Sequence, residues 1–366
     1  MTRRGPVGVG VVGAGVISTQ YLRNLTAFPD LDVRFVADLD TDRAREQAES
    51  FGVPAHGGTD ALLADDGIEI VVNLTVPAAH VDVALRAVAA GKHVWNEKPI
   101  GLDRHSTRTL LDTARASGLR VATAPDTFLG PGIQTCRRLV ESGAIGAVQS
   151  ALTLMQSPGP ESWHPNPAFL YQDGAGPLFD IGPYYLTALV QLLGPVARVL
   201  AVSSQARAVR TIGSGPRAGE RFDVTVPTHV GAIYEFAGGA SAQSVFSFDS
   251  PLRRRLFEVT GADATLVVPD PNTFAGDVLV HRADGEVDTV PSGEAVSTRG
   301  TGVLELARAM RAGRAERASG ELAFHVLDVM IATIEAAESG APVEVVSTVE
   351  VEPALPEDWD PTSRTL

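Results

Sequence analysis

A glycine-rich turn directly behind an apolar stretch constrains this sequence more than any other feature. The segment Gly13-Ala14-Gly15-Val16-Ile17-Ser18 follows the apolar run Val7–Val12 and precedes a helix-type pattern. Paired glycines at such a junction permit a tight turn and let backbone amides approach a pyrophosphate, which the unpaired N–H groups of the following helix stabilise. Ser18 replaces the third glycine of this fingerprint, a position that mainly serves helix–strand packing. The turn therefore predicts a dinucleotide-binding site.

The first third of the chain alternates strand-type and helix-type stretches. The predicted strands are Val7–Val12, Val33–Ala37, Ile70–Leu74, His93–Trp95 and Arg120–Ala124, and the predicted helices are Gln20–Ala27, Asp42–Phe51, Ala79–Ala90 and Ser106–Ser117. Such alternation is typical of a parallel sheet with crossover helices. A chain of 366 residues usually needs more than one core. We therefore predict an α/β protein whose residues 1–127 form a Rossmann domain.

Residues 128–366 have a different pattern. Helices are predicted at Gln134–Ser142, Pro183–Leu193, Leu304–Ala312 and Leu322–Glu338, and strands at Val199–Ser204, His229–Glu235, Ala240–Phe248, Leu256–Thr260, Thr265–Val268 and Val278–His281. Consecutive strands without intervening helices indicate an antiparallel sheet. The second domain is therefore predicted to be an α+β substrate domain.

Composition excludes several classes of function. A net charge of −14 argues against nucleic acid as a partner, since such binding needs clustered basic residues. The short basic run Arg253-Arg254-Arg255 is interpreted as a solvated strand or turn edge. The single cysteine, Cys136, excludes an internal disulfide framework, and the eight histidines lack metal-ligand spacing, so no metal is expected.

The amino terminus needs a choice between two interpretations. Arg3-Arg4 ahead of Val7–Val16 resembles the start of an export signal. The glycines within that run, and Ser18-Thr19-Gln20 after it, fit a strand and phosphate turn better. We therefore expect a cytoplasmic protein. No apolar run reaches the roughly 18 residues of a membrane span, so no membrane association is expected.

Asp38 ends the second predicted strand, 23 residues after Gly15. A carboxylate there can accept hydrogen bonds from the adenosine ribose and would repel a 2′-phosphate, which favours NAD over NADP. Arg43 could reach a 2′-phosphate, so NADP stays possible. The alternative is that Asp38 is only a turn residue beside Asp40 and Asp42.

Lysine usage singles out Lys98. Of the 30 basic residues only Lys92 and Lys98 are lysines, and the rest are arginines. An ammonium can exchange a proton where a guanidinium cannot, so Lys98 within Glu97-Lys98-Pro99 suggests acid–base or compact-charge chemistry. Pro99 restricts Lys98 to an extended backbone. The alternative is chance retention of two surface lysines.

A third candidate region is the glycine-rich segment from Gly174 to Tyr185. If a helix begins near Asp180, then Asp180 and Tyr184 share one face, one turn apart. A carboxylate and a phenol beside an ammonium form a plausible proton-transfer unit, because a positive charge favours the phenolate. The alternative makes Asp180 a helix N-cap and Tyr184 a packing residue.

Four stretches together resemble the glucose–fructose oxidoreductase and inositol dehydrogenase (Gfo/Idh/MocA) family over essentially the whole chain. They are Gly13–Ser18, Asn73–His80, Ala90–Pro99 and Gly174–Gly194. The resemblance implies a Rossmann domain followed by a domain with a large open antiparallel sheet. It also implies a homodimer or homotetramer formed through that sheet and a sugar or polyol substrate.

Residue roles follow from the same resemblance. Lys98, Asp180 and Tyr184 take the catalytic positions; the coenzyme positions are Gly13, Gly15, Val16, Ile17, Asp38, Arg43, Thr75, Pro77, His80, Glu97 and Lys98. Many members have a histidine at the position of Tyr184, although some branches have tyrosine. Many have an acidic residue at the position of Thr187, so inositol is a poor first choice of substrate.

These observations predict reversible hydride transfer between a secondary hydroxyl and NAD(P). Asp126, Trp163, His164 and Tyr171 are candidates to line the sugar pocket, with loop packing as the alternative for each. Two other functions stay open: redox-assisted cleavage or epimerisation of a sugar with the coenzyme regenerated, and a regulator that senses NAD or a sugar without turnover.

Overall fold

The computed structural model describes residues 4–366, and Arg3 lies outside this range. Contacts divide the chain into two compact units. The first holds the chain up to Gly130 together with Glu294–Leu327 and Val351–Leu366, and the second holds Pro131–Gly293 and Asp328–Glu350. The sequence-based division after residue 127 did not anticipate that two later segments pack with the first unit.

The elements alternate at first and then become strand-rich. The strands are β1 (Val7–Val12), β2 (Leu31–Ala37), β3 (Ala55–Gly57), β4 (Ile70–Asn73), β5 (His93–Asn96), β6 (Val121–Thr123), β7 (Val148–Gln156), β8 (Val196–Ser204), β9 (Val209–Thr211), β10 (Arg221–Asp223), β11 (His229–Phe236), β12 (Ser241–Ser247), β13 (Arg254–Gly261), β14 (Ala264–Val267), β15 (Val278–Arg282), β16 (Val287–Val290) and β17 (Val343–Glu344). The helices are α1 (Ser18–Leu25), α2 (Thr41–Phe51), α3 (Thr59–Leu63), α4 (His80–Ala89), α5 (Arg104–Ala116), α6 (Pro131–Glu141), α7 (Gly176–Leu193), α8 (Thr301–Ala312) and α9 (Gly320–Ser339).

The first unit contains a parallel six-stranded sheet in the order β3-β2-β1-β4-β5-β6. Strand β1 is buried along its whole length, as expected for a strand covered on both faces. It pairs in parallel with β2 on one side and β4 on the other. Strand order reverses at β1, and ligands of doubly wound sheets bind outside the carboxyl ends of the strands at such a point. The predicted Rossmann fold is confirmed, with β3 as an unpredicted short edge strand.

The second unit contains a nine-stranded sheet in the order β16-β15-β14-β13-β7-β12-β11-β8-β17. The predicted, mainly antiparallel sheet is confirmed. Strand β7, which the sequence analysis did not predict, lies near its middle and pairs antiparallel with β13 and parallel with β12. Helix α7 contacts β7, β11 and β12 on one face of this sheet.

Helix α7 begins earlier than the sequence predicted. Its first residue is Gly176, with Pro177 in the first turn and Ala175 as N-cap, so Asp180 is not the N-cap and Pro183 lies inside the helix. Proline is tolerated in a first turn, but inside a helix it removes one hydrogen bond. Residues 182–192 are all buried, and this packing on every side compensates for the missing bond.

None of the helices within residues 4–366 combines the length and the apolar character that crossing a membrane requires.

Candidate functional site

The glycine turn after β1 has the geometry that the sequence predicted. Gly13 has φ +102°, and its N–H donates to Ala37 O at 2.8 Å. A Cβ at Gly13 would lie 2.7 Å from Leu74 O, so only glycine fits where β1 passes the end of β4. Around Gly15 there is open space within 4 Å of the Cβ position. The first glycine therefore permits strand packing, and the second leaves the backbone accessible to a ligand.

The amino terminus of α1 lies directly behind this turn. No side chain caps the helix, and Ser18, its first residue, is buried and donates from Oγ to Gly15 O at 2.6 Å. Serine therefore keeps the helix close to the turn in the place of the third glycine. An uncapped helix amino terminus beside an open glycine turn suits an anionic pyrophosphate.

Large apolar side chains are exposed around the same edge of the sheet. Val16 follows β1, Leu39 follows β2 and Val76 follows β4, with exposures of 95%, 101% and 66%. Exposed apolar groups at the carboxyl ends of three adjacent strands offer a surface for the flat faces of a nucleotide. The residues present therefore fit a dinucleotide.

Asp38 is held in a network of its own. Its Oδ2 accepts a hydrogen bond from Ala14 N at 2.6 Å, and its Oδ1 accepts bonds from Arg43 Nη2 at 2.6 Å and Asp40 N at 2.9 Å. Burial alone would raise the pKa of Asp38, but the bonds from Arg43 and the backbone outweigh it and keep the pKa below its ordinary value. Arg43 is thus already paired with a carboxylate, and its side chain is half exposed.

His80 organises the segment on the other side of the turn. Its ring lies between two backbone carbonyls, with Nδ1 2.6 Å from Pro99 O and Nε2 3.0 Å from Thr75 O. The side chain is fully buried, and burial lowers its pKa. His80 therefore connects Thr75, beside the short 3-10 turn that starts at Pro77, to the Lys98-Pro99 segment, and it has no exposed surface for a ligand.

An asparagine pair that the sequence analysis missed supports the same segment. Asn73 and Asn96 end the neighbouring strands β4 and β5, and Asn73 Nδ2 donates to Asn96 Oδ1 at 2.8 Å. Asn73 Oδ1 accepts from Thr75 Oγ1 at 2.7 Å. Both side chains are fully buried. The available signal was an asparagine near the end of each predicted strand, Asn73 inside Ile70–Leu74 and Asn96 directly after His93–Trp95.

Glu97 is fixed by an aromatic network. Tyr21 Oη donates to Glu97 Oε1 at 2.7 Å, and Trp95 Nε1 donates to Tyr21 Oη at 3.2 Å. Burial, followed by the charge of Glu97, holds the pKa of Tyr21 well above its usual range. The N–H of Lys98 donates to Glu97 Oε2 at 3.0 Å, and the Lys98-Pro99 peptide is cis. The network therefore holds the backbone of half-buried Lys98, the second residue after β5.

The second unit contains a cavity of about 380 Å³ beside helix α7. Its lining includes Asp180, Ile181 and Tyr185 from the helix and Trp163 from the loop after β7. Tyr185 also stacks on Phe257 of the sheet, with ring centroids 6.0 Å apart. Asp180 thus faces open space, as expected for a residue that meets a ligand.

Tyr184 lies one turn beyond Asp180 on α7, as the i, i+4 spacing predicted, and its side chain is buried with 6% exposure. It does not line the cavity that contains Asp180. Tyr185, Leu189 and Leu192 of the same helix are also buried.

The two aromatic pocket candidates of the loop after β7 occupy different environments. Trp163 is 62% exposed and lines the cavity, and it contacts the half-buried His164 edge to face at 5.5 Å. Tyr171 is fully buried, hydrogen-bonds to Glu161, and packs on Phe222 and Phe248. The expectation that Tyr171 lines a sugar pocket is not supported, because aromatic neighbours cover the ring.

Arg210 explains the burial of Tyr171 and was missed by the sequence analysis. Its guanidinium pairs with Glu161 and with Asp249 and lies 4.9 Å from the centre of the Tyr171 ring. Arg210 Nη2 also donates to Phe248 O at 3.1 Å. The network fastens the loop that carries Trp163 to the end of β12. One arginine among many carried no signal in the sequence.

Asp126 is also not a pocket residue. It is fully buried, and Oδ2 accepts hydrogen bonds from Gly300 N at 2.9 Å and Gly302 N at 3.0 Å. Burial raises its pKa to about 6. Its carboxylate caps helix α8 across a long sequence separation, which no local pattern could indicate.

The structure thus groups the predicted residues by unit. Along the carboxyl edge of the parallel sheet in the first unit lie Gly13, Gly15, Val16, Ile17, Asp38, Arg43, Thr75, Pro77, Glu97 and Lys98. Around the cavity of the second unit lie Asp180 and Trp163. The first set can hold a dinucleotide, and the second can contact a small polar ligand with an aromatic face and a carboxylate.

Comparisons with known proteins agree with this geometry. The model of the oxidoreductase family with an NAD-binding Rossmann fold matches residues 7–124, and the GFO/IDH/MocA C-terminal domain matches residues 133–267. D-xylose 1-dehydrogenase (NADP(+)) 2 from Haloferax volcanii is 27% identical over 344 residues, which cover 92% of this chain and 99% of that protein.

Solved structures show the same fold. An NAD binding oxidoreductase from Klebsiella pneumoniae superimposes with a TM-score of 0.83 and 21% identity, covering 94% of this chain and 100% of that one. The apo form of levoglucosan dehydrogenase has a TM-score of 0.82 and 20% identity at the same coverages.

The fold and the glycine turn define an oxidoreductase with an NAD-binding Rossmann domain. The chain belongs to the Gfo/Idh/MocA oxidoreductase family, which confirms the predicted resemblance. It is an NAD(P)-dependent dehydrogenase.

Proposed function

We propose that this protein transfers a hydride reversibly between a secondary hydroxyl of a sugar or polyol and the nicotinamide of NAD. The observation that carries the proposal is the position of Lys98, the second residue after β5, at the carboxyl edge of the parallel sheet. An ammonium is placed there in a chain that otherwise uses arginine almost throughout. The D-xylose 1-dehydrogenase relative supports a sugar as the substrate.

The coenzyme would bind along the first unit's open edge. The amides of the Gly13–Ile17 turn and the amino terminus of α1 would hold the pyrophosphate. Asp38 would accept hydrogen bonds from the ribose, and its paired Arg43 would be freed for a 2′-phosphate only if that ion pair opened. This arrangement favours NAD and leaves NADP as a weaker second coenzyme.

Side chains of this protein would remove the proton of the substrate hydroxyl and orient the substrate. A bound nicotinamide supplies the hydride acceptor. Tyr184 would take the proton of the substrate hydroxyl and Asp180 would orient the sugar, and the role proposed for Lys98 is to offer its compact charge to a substrate oxygen. Asp180 and Tyr184 lie one turn apart on α7, with Asp180 in the cavity lining and Tyr184 largely buried. Trp163 would cover an apolar face of the sugar ring.

The test begins with titration by NAD and by NADP, followed by a panel of sugars, sugar lactones and cyclic polyols while reduced nicotinamide is monitored. We expect tighter binding of NAD and reduction of NAD by at least one sugar. Lys98→Met and Tyr184→Phe should each lower kcat by at least about 100-fold, the range in which a positioned acid or base acts.

Matched controls separate chemistry from folding. Lys92→Met removes the only other lysine, whose Nζ donates to Asp65 O at 2.8 Å, and Tyr234→Phe removes a buried phenol of the sheet. Both should keep kcat within about threefold. Near-normal turnover by the Lys98 and Tyr184 variants would contradict the assignment of these residues.

Two other outcomes would redirect the proposal. A changed sugar with no net change in nicotinamide absorbance would indicate redox-assisted cleavage or epimerisation. Binding of coenzyme and sugar with no turnover across the panel would indicate a regulator.

We also propose that the protein is a homo-oligomer formed through the sheet of the second unit. On that sheet Leu152, Val202 and Ile233 are exposed to 40%, 69% and 42%, and they line one apolar groove. A groove of this composition is suited to a second copy of the same face.

A further inference from the structure

A run of three arginines, Arg253-Arg254-Arg255, borders the cavity that contains Asp180. We propose that the substrate carries a negatively charged group, a carboxylate or a phosphate, which Arg253 and Arg254 bind at the rim of this cavity. The inference rests on the proposed dehydrogenase function and narrows its substrate class to anionic sugars.

The position of the run in the sheet argues against a purely solvated edge. Arg254 begins β13, a strand that pairs with β7 on one side and β14 on the other. Arg254 lies opposite Gln156, and Arg255 lies opposite Met155. All three arginines are exposed, and both β7 partners also line the cavity. The sequence-based interpretation as a strand or turn edge therefore missed that the run faces a cavity.

Charge at the rim is not fully balanced. Arg255 Nη1 forms an ion pair with Asp270 Oδ2 at 3.2 Å. Within residues 4–366 the structure gives no ion pair to Arg253 or Arg254. Three guanidinium groups thus border a cavity with two carboxylates, those of Asp180 and Asp270. In a chain of net charge −14, such a local positive excess opposes the overall field and suits a specific anion.

The remaining lining fits a sugar attached to that anion. The cavity volume of about 380 Å³ is within the range of small-ligand pockets. Trp163 offers an aromatic face, and Gln156 and Asn272 offer amides that bond hydroxyl groups. A guanidinium group can donate two parallel N–H bonds to two oxygens of a carboxylate or a phosphate, and these charge-assisted bonds are stronger than bonds to neutral hydroxyls. Asp180 would then meet the uncharged, hydroxyl-bearing part of the ligand.

The experiment compares substrates that differ only in the charged group. One set is D-glucose, D-glucuronate and D-glucose 6-phosphate, and a second is D-galactose, D-galacturonate and D-galactose 6-phosphate. Steady-state kinetics with NAD give kcat and KM for each. We expect at least one anion to have a kcat/KM about tenfold or more above its neutral parent, and the uronate and phosphate arms identify which anion is bound.

Two double variants test the assigned arginines. Arg253→Gln/Arg254→Gln should raise KM for the preferred anion about tenfold, change kcat little, and leave KM for the neutral parent within twofold. Arg207→Gln/Arg221→Gln removes two exposed arginines of the same unit that do not line the cavity, and it should change neither parameter. Rising salt should raise KM for the anion in the wild type and have less effect in the rim variant.

Binding is measured separately from turnover. Each sugar is titrated against the protein with NAD present, and the fluorescence of Trp163 is identified by comparison with Trp163→Phe. Anion binding that weakens only in the rim variant supports the inference, even if no sugar is oxidised. A lack of oxidation would instead contradict the proposed function. Oxidation of neutral sugars with equal or better kcat/KM would overturn the inference and leave the dehydrogenase function intact. Failure of both anions to bind would also overturn it.

Discussion

Asp126 places a buried carboxylate at the amino terminus of helix α8. Its Oδ2 accepts the N–H groups of Gly300 and Gly302, and Oδ1 has no hydrogen-bond partner within residues 4–366. Burial favours the neutral acid, while the nearby charge of Arg299 and the two amides favour the carboxylate. Burial prevails, and the pKa lies at about 6. The group that accepts these two hydrogen bonds at the start of α8 thus titrates at about pH 6.

The stability of the protein should depend on pH through this group. The ordinary pKa of aspartate is 3.8, so the folded protein binds more protons than the unfolded chain between about pH 4 and 6. The contribution of Asp126 to the free energy of unfolding should therefore fall as the pH rises through this window, by up to about 3 kcal/mol. Asp126→Asn should remove that fall, which thermal unfolding from pH 4 to pH 8 would measure.

The control for this prediction is Asp223→Asn, which changes an exposed carboxylate in β10. It should leave the pH profile of the wild type unchanged. Parallel profiles for the wild type and Asp126→Asn would show that Asp126 titrates at its ordinary value.

At the scale of elements, the loop between β7 and α7 depends on one buried cation. Arg210 is 3% exposed, and its two carboxylate partners, Glu161 and Asp249, are each 13% exposed. Tyr171 lies against the same guanidinium, and burial raises the pKa of its phenol. Since Trp163 belongs to this loop, the network determines where an aromatic face stands beside Asp180.

Arg210→Met should destabilise the second unit by about 3–5 kcal/mol, because it leaves two buried carboxylates without a counter-charge. Thermal unfolding would measure the loss, and limited proteolysis should find new cleavage near Trp163. Adding Glu161→Gln and Asp249→Asn to this variant should restore part of the stability.

Arg217→Met is the matched control, since Arg217 is half exposed and pairs with Glu220 at the surface. It should change stability by no more than about 0.5 kcal/mol. Equal effects of the two arginine variants would contradict a special role for the Arg210 network.

At the scale of the whole molecule, late segments of the chain complete the first unit. Arg308 of α8 donates from Nε to Asp30 at 2.8 Å and from Nη1 and Nη2 to the carbonyls of Asp360 and Ser363 at 2.9 and 2.6 Å. Asp30 also accepts the N–H groups of Thr365 and Leu366. The carboxyl-terminal segment Val351–Leu366, which has no helix or strand, is therefore packed as part of the first unit.

The assembly proposal also belongs to this scale. We expect the wild type to elute as a homodimer or a larger multiple, because an apolar groove on the sheet loses contact with water when two copies join. Val202→Glu/Ile233→Glu should give monomers, since association would bury four carboxylates. Size-exclusion chromatography with light scattering measures both.

Val287→Glu provides the control, because Val287 is 49% exposed on β16 at the edge of the sheet and does not line the groove. Its mass should equal that of the wild type. A monomeric wild type at every concentration would contradict the assembly proposal.

Local patterns determined much of this protein. Strand β1 has the predicted bounds, Asp38 accepts a hydrogen bond from the glycine turn, and the order of elements indicated both sheets. Such features depend on residue spacing of two, three or four, which a sequence displays directly. The same reasoning found Asp180 and Trp163, which line the cavity of the second unit.

Only the tertiary structure decided what depends on partners distant in sequence. Strand β7 belongs to the sheet because it pairs with β12 and β13. Helix α7 starts at Gly176 and tolerates Pro183 because it is packed on every side. Asp126 and Tyr171 do not line a pocket because partners distant in sequence bury them. Gly300 and Gly302 donate hydrogen bonds to Asp126, and the guanidinium of Arg210 packs against the Tyr171 ring. Burial and pairing of this kind are properties of the packed core, and a linear pattern does not contain them.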